Sequence, residues 1–286
     1  MREIRYLSSA DSTEQPALLY VPRKKGRIPL LVALHPWSST YSENCYEECA
    51  AWCAAKKWAF FHPDFRGKND HPEATGSEFA IQDILSGVAF VREKADIDPA
   101  RIYCMGASGG GHASLLMAGR APELWADVSA WVPISDLVTW HARGGHYAPL
   151  IEASCGGAPG KSPAVDLEYR RRSPVTYLNP SLRVRIDVNA SIYDGHQGSV
   201  PIDQSLRAFN LLADPKDRIS SEDIRYFVEM AEVPPSLQAS IWDPLYGEKR
   251  VLFRRVSGRA RITLFQGAHE CIQKAAMAWL AMQRRQ

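Results

Sequence analysis

Six cysteines in 286 residues are too few for a disulfide-framed scaffold, and their spacing specifies no pairing. Cys45, Cys49 and Cys53 recur at every fourth residue, which makes one stripe on a helix. CxxxCxxxC is not a zinc spacing and no histidine nearby completes a ligand set, so buried free thiols are the expected state. No apolar run approaches the roughly 18 residues that a membrane helix needs. The opening "MREIRYLSSADSTEQ" has no apolar core of the kind a signal peptide carries. The chain as given is therefore expected to be soluble and cytoplasmic, although a leader removed beforehand would leave no trace in it. A net charge of only +2 provides no field that would draw nucleic acid or an anionic membrane, and neither partner is expected. The local basic runs, Arg23–Lys25 and Arg170–Arg172, lie in loop-like sequence without interleaved aromatics and read as solvated surface. Internal repeats and low-complexity tracts are also missing.

What is present is an ordinary globular composition, 45% apolar and 23% charged, enough for a sizeable core. "REIRYL" and "ALLYVP" flank a polar, turn-rich stretch and predict a hairpin. "IPLLVALHP" is a continuous apolar run, as expected of a strand buried on both faces. A helix is predicted from about Ser42 to Lys56, then a short strand in "WAFFHPD". Residues 78–93 place Ile81, Ile84, Leu85, Val88 and Val91 on one helical face. Strands follow in "RIYCM", "WADVSAWVPI" and "VRIDVNASI", with helices from about Gly111 and around Leu206, Phe209 and Leu212. "VLFRRVSGRARITLF" reads as two strands around Ser257-Gly258, and residues 272–282 as a closing helix.

Strands alternating with helices at these lengths imply a single α/β domain over residues 1–286, with a mostly parallel sheet covered on both faces. Residues 137–180 and 214–249 break the rhythm. They leave after late strands, so they are expected to be cap-like insertions over the C-terminal edge, where open α/β sheets bind ligands. Trp140, Tyr147 and Trp242 lie in them, either to stack on a sugar or aromatic ring or to anchor the caps.

Gly106-Ala107-Ser108-Gly109-Gly110 fits G-x-S-x-G between a predicted strand and a predicted helix, the setting of a nucleophile elbow. So tight a turn needs small residues two before and two after the serine. The helix that starts there aims its free N–H groups at the reacting carbon, with Gly109 as one oxyanion donor. A phosphate-binding glycine turn is the competing reading. It lacks the Gly-Lys-Ser/Thr of a P-loop, and G-x-G-x-x-G does not occur here.

A serine hydroxyl needs a base, and the base needs an orienting acid, in the chain order Ser, Asp or Glu, His. Of the histidines after Ser108, His112 lies in the next helix, His141 and His146 in an insertion and His196 in a loop. His269 follows a late strand and precedes the last helix. Asp194 ends the strand "VRIDVNASIYD", and Asp136, which ends the preceding strand, competes with it. Asp187 is inside a strand and Asp64 precedes the serine.

"GASGGGH", "YDGHQGSVPIDQS" and "QGAHE" together resemble the catalytic segments of α/β-hydrolases, most closely the prolyl-oligopeptidase-like branch that includes dipeptidyl aminopeptidases and acylaminoacyl peptidases. "HPDFRG" resembles that branch's D-[YF]-R-G segment, and the likeness spans residues 28–286. It implies an α/β-hydrolase fold with Ser108 as nucleophile, His269 as base and Asp194 as acid. Two departures stand out. Five residues, "GHQGS", separate Asp194 from Val200-Pro201, a longer gap than usual. His35-Pro36 replaces the usual His-Gly, and because proline has no N–H the second oxyanion donor is expected from Trp37, with Ser38 as the alternative.

The expected reaction is hydrolysis of a small-molecule or saccharide-linked carboxylic ester through an acyl-enzyme, with no metal or organic cofactor. Gln273 stands where an HExxH motif would need its second histidine. The ester expectation rests on the propeller that oligopeptidases of this branch carry before the hydrolase sheet and this chain does not show. A small serine exopeptidase is the first alternative, and a catalytically silent binding protein on the same fold is the second.

Overall fold

The computed structural model describes residues 1–43 and 45–285. Among them a nine-stranded sheet runs in the order β1-β2-β4-β3-β5-β6-β7-β9-β8. β1 (Arg2–Leu7) and β2 (Glu14–Tyr20) form the expected hairpin, and β2 pairs antiparallel with β4 (Ala59–Pro63). From β4 the sheet is parallel through β3 (Ile28–Leu34), β5 (Ile97–Ala107), β6 (Asp127–Trp131), β7 (Arg185–Ser191) and β9 (Ala260–Phe265). β8 (Val251–Ser257) closes the far edge antiparallel to β9. Every residue of β3 is buried, which explains why its sequence is apolar without alternation. This is the mostly parallel, doubly covered sheet of the α/β-hydrolase fold.

Helices cover both faces. On one lie α2 (Glu78–Lys94), α3 (Gly109–Arg120) and α7 (Asp203–Leu212), which bury Ile84, Val88, Leu115 and Phe209 against the sheet. α2 starts where Ser77 accepts the Ala80 amide, a side-chain cap. On the other face α1 (Glu47–Lys56) and α9 (Gln273–Ala281) pack Cys49, Cys53, Ala276 and Leu280 against Tyr103 and Trp131. α1 begins five residues later than the predicted Ser42. The preceding segment is instead a turn in which Ser39 Oγ donates to the Glu43 carboxylate at 2.8 Å. Cys49 and Cys53 are buried free thiols, and Cys45 lies outside the helix at its start.

Residues 137–180 fold into α4 (Leu137–His141), α5 (Ala148–Cys155) and α6 (Pro163–Arg172), whose apolar side chains meet Trp37 and Val200. Arg170–Arg172 is therefore the last turn of a helix, not loop, and Arg172 is not a solvated residue. Its guanidinium is buried and donates to the Ala74 and Pro72 carbonyls and to Glu168, clamping α6 to residues 72–74. Residues 214–249 carry α8 (Ser221–Met230) and meet the sheet at β8. They start where Ser257 Oγ accepts the Asp214 amide and donates to the Asp217 carboxylate. They end with Ile241 bridged to Val251.

Candidate active site

β5 ends at Ala107 and α3 begins at Gly109, so Ser108 alone makes the turn, with φ 56° and ψ −118°. This is left-handed backbone that a non-glycine residue adopts only where the surroundings enforce it. The enforcement is visible on both sides of the peptide. The Ser108 amide donates to the Trp131 carbonyl of β6, and the His112 amide donates to the Ser108 carbonyl, both at 2.9 Å. A Cβ on Gly106 would lie 2.3 Å from the Gly110 backbone, and one on Gly110 would lie 2.0 Å from the Leu34 carbonyl oxygen. The motif's two glycines are thus fixed by close approach. Gly109, which the motif leaves free, is equally constrained: a Cβ there would lie 2.4 Å from the Trp37 nitrogen.

That contact sets the Trp37 and Gly109 backbones side by side. Among the described residues neither amide donates a hydrogen bond, so two N–H groups are free beside the serine. Trp37 is held from its other end, where its carbonyl accepts both the backbone and the side-chain amide of Asn69. Its ring is buried in a cluster with His112, Trp140 and Tyr147. Trp140 is thus a core anchor, whereas Trp242 is 84% exposed. His35, before the proline, sets its two ring nitrogens 2.9 and 2.7 Å from the Pro36 and Asp64 carbonyls, one of which accepts the neutral ring's N–H, and stacks on Phe65.

A residue outside any sequence motif ties this region together. The buried Tyr46 hydroxyl donates to the Leu34 carbonyl at the end of β3. The same oxygen accepts the Ala107 amide, one residue before Ser108. No local pattern could have revealed it, since the partners lie in different strands.

His269 and Asp194 meet. His269 Nδ1 lies 2.9 Å from Asp194 Oδ1, and the other carboxylate oxygen accepts the Ser191 amide at 3.1 Å. Burial raises the Asp194 pKa, against the opposing pull of His269 and the Ser191 amide. His269 Nε2 is buried and has no hydrogen-bond partner, Ser108 included. Serine–base bonds are often long in unliganded sites, so this geometry leaves the nitrogen available. Ser108, Asp194 and His269 follow the C-terminal ends of β5, β7 and β9, all on one sheet edge. The longer gap after Asp194 turns back on itself. The His196 and Gln197 amides donate to the Tyr193 carbonyl, and Gly198 packs against the His269 ring. Trp140 Nε1 donates to the Ser199 carbonyl and ties the first insertion to this loop.

The competing residues are otherwise engaged. Asp136 caps α4 by accepting the Val138 and Thr139 amides. Asp187 is buried in β7 and paired with Arg261 at 2.7 Å. The Asp64 side chain accepts the Tyr41 amide. His112 bonds the Arg172 carbonyl, His141 pairs with Glu152, and His196 bonds the Val228 carbonyl. Burial pushes the Cys271 thiol well up. No group of three or more candidate metal ligands occurs among the described residues, and no described helix is long and apolar enough to cross a membrane.

Comparison with known proteins agrees with the fold. A model of the prolyl oligopeptidase family matches residues 50–229. Among solved structures, an acylaminoacyl peptidase in complex with Z-Gly-Gly-Phe-chloromethyl ketone is 23% identical, with a TM-score of 0.61 over 74% of this chain and 34% of that one. Acylaminoacyl peptidase from Pyrococcus horikoshii is 18% identical, with a TM-score of 0.68 over 97% of this chain and 40% of that one. Prolyl oligopeptidase B from Galerina marginata is 15% identical, with a TM-score of 0.57 over 72% and 31%. The chain therefore spans only a third to two fifths of the length of these structures, which at such identities share its fold. None of the curated proteins searched matches it. With the family model covering well over half its length, this chain belongs to the prolyl oligopeptidase family of serine hydrolases.

Proposed function

We propose that this protein cleaves amide bonds of short peptides or acylated amino acids through a covalent acyl-enzyme on Ser108. The observation that carries the reading is the His269–Asp194 pair at 2.9 Å, whose free Nε2 is buried on the same sheet edge as the strained serine. Ser108 Oγ attacks the carbonyl carbon while His269 Nε2 takes its proton. The tetrahedral oxyanion sits against the Trp37 and Gly109 amides, and the C–N bond breaks as His269 returns the proton to the leaving amine. Water then enters by the same route and releases the acid. Asp194 accepts the hydrogen bond from Nδ1–H throughout, which fixes the tautomer and steadies the imidazolium.

Family membership supports an amide in place of the ester expected from the sequence, and the structures that share the fold carry peptidase names. We assign residues 137–180 the role of a cap, on the strength of Trp140 packing on Trp37 and bonding the loop beside His269. The test has two steps. A fluorophosphonate probe should label Ser108, with labelling lost in Ser108→Ala; an unlabelled folded protein would leave only the silent-scaffold alternative. Acylaminoacyl anilides are then compared with a non-activated alkyl or sugar ester. Higher kcat/KM on the ester would return the protein to the esterase reading.

A further inference from the structure

The opposite edge of the sheet carries an unusual concentration of positive charge. There, at the starts of β6, β7 and β9, a cavity of about 650 Å³ is lined by Arg183, Arg185, Arg259, Arg284 and Arg285 against a single carboxylate, Glu123. Elsewhere in the chain, partly buried guanidinium groups are neutralised internally. Arg66 pairs with Asp11 and Asp83, and Arg261 with Asp187, each at 2.7 to 2.8 Å. The cavity's arginines, exposed except for the half-buried Arg185, are held less closely. Arg185 donates to the neutral Gln283 side chain, and Arg284 reaches Asp98 only at 3.5 Å, where Arg101 already holds that carboxylate at 2.7 Å. Among the described residues the side chains of Arg183, Arg259 and Arg285 have no hydrogen-bond or ion-pair partner, the Arg259 carbonyl alone accepting the Ile186 amide. The remaining lining is Ser181 and the apolar Pro122, Trp125, Ala126 and Leu182.

Five like charges around one concavity repel one another, and a protein of net charge +2 has carboxylates enough to offset them elsewhere. The guanidinium fork matches the oxygens of phosphate and carboxylate, and several forks facing one space select a multivalent anion. The size of the cavity falls in the range of small-ligand sites. We infer that this cavity is a second binding site, distinct from the serine site, for a phosphate-bearing organic anion of about nucleotide size. Its phosphates sit among the arginines and its apolar body lies over Leu182 and Pro122.

The probes are ATP and inorganic pyrophosphate, titrated calorimetrically into the full chain at about 0.15 M salt, where diffuse surface attraction is screened. ATP is expected to bind saturably at one site with Kd below about 1 mM. Arg183→Ala with Arg259→Ala should weaken it at least tenfold, and because both side chains are exposed and unpartnered the melting temperature should not move. Arg23→Ala with Lys24→Ala, a basic pair elsewhere, should leave binding unchanged. Absence of saturable binding, persistence in the Arg183/Arg259 variant, or equal weakening in the control would each overturn the site. Pyrophosphate binding as tightly as ATP would overturn the assignment of an apolar body.

Discussion

The Tyr46 hydroxyl accepts the Ala107 amide at 2.8 Å and donates to the Leu34 carbonyl at the same distance, joining the strand end before the candidate nucleophile to the strand end before Trp37. Tyr46→Phe removes both bonds and leaves a buried amide and a buried carbonyl unpaired, a loss of about 1–3 kcal/mol. The spacing between Ser108 and the two free amides loosens with it. kcat is expected to fall roughly tenfold with KM nearly unchanged, because the contacts disturbed act on the transition state. A folded variant with unaltered kcat would reduce Tyr46 to a structural brace.

Gly109→Ala tests the paired amides from the other side. The new Cβ would meet the Trp37 backbone at 2.4 Å and cannot be relieved by a rotamer change. One of the two amides must move. Losing a single oxyanion donor costs on the order of 10²–10³ in kcat, and that is the expected range here. Steady-state kinetics on the folded variant measure it. A loss below fivefold would exclude this pair as the oxyanion site.

The two aspartates separate cleanly by readout. Asp194→Asn is expected to lower kcat on the order of 10⁴, since an amide favours the wrong histidine tautomer. Asp136→Asn keeps an oxygen that can accept the Val138 and Thr139 amides, so turnover and stability should both stay near the parent. The reverse outcome in kcat would move the acid to β6.

Acid should unfold the protein through three histidines. Burial lowers the pKa of His35, His62 and His112, the last two to about 4. The unfolded chain protonates them near 6.5, so between those values it binds more protons than the native state and stability rises with pH. Their contribution is complete above pH 6.5 and is lost as pH falls toward 4. The slope approaches about 1.4 kcal/mol per pH unit for each histidine held neutral. Urea midpoints from pH 7 to 4.5 measure this, and a flat profile would contradict it.

Much of the candidate site is legible in the chain because its constraints are local. Glycines two residues either side of Ser108 announce a turn too tight for a side chain, and β3 announces its burial by an unbroken apolar run. Position after a late strand points to His269, while chain order leaves Asp194 and Asp136 both open and only the family resemblance favours Asp194. The rest is tertiary. Tyr46 reaches Ala107 across 61 residues and Arg172 reaches Ala74 across 98, and neither contact has a sequence period. The late start of α1 follows from a Ser39–Glu43 side-chain bond that competes with the helix, which apolar spacing does not register. The added residues after Asp194 read as a disturbance of the acid. In the structure they turn back against His269, because two glycines with positive φ, Gly195 and Gly198, let the loop fold back.

The backbone of the candidate nucleophile Ser108 sets folding against the proposed chemistry. At φ 56° and ψ −118° a side chain costs of order 1–3 kcal/mol that glycine would not incur. Glycine at this position would extend the neighbouring glycines into an unbroken run and relax the turn. Ser108→Gly should therefore melt higher than the parent while losing hydrolysis altogether. A chain selected for durability alone would carry no hydroxyl there, so the thermal margin this protein gives up at one residue measures what its reactivity costs.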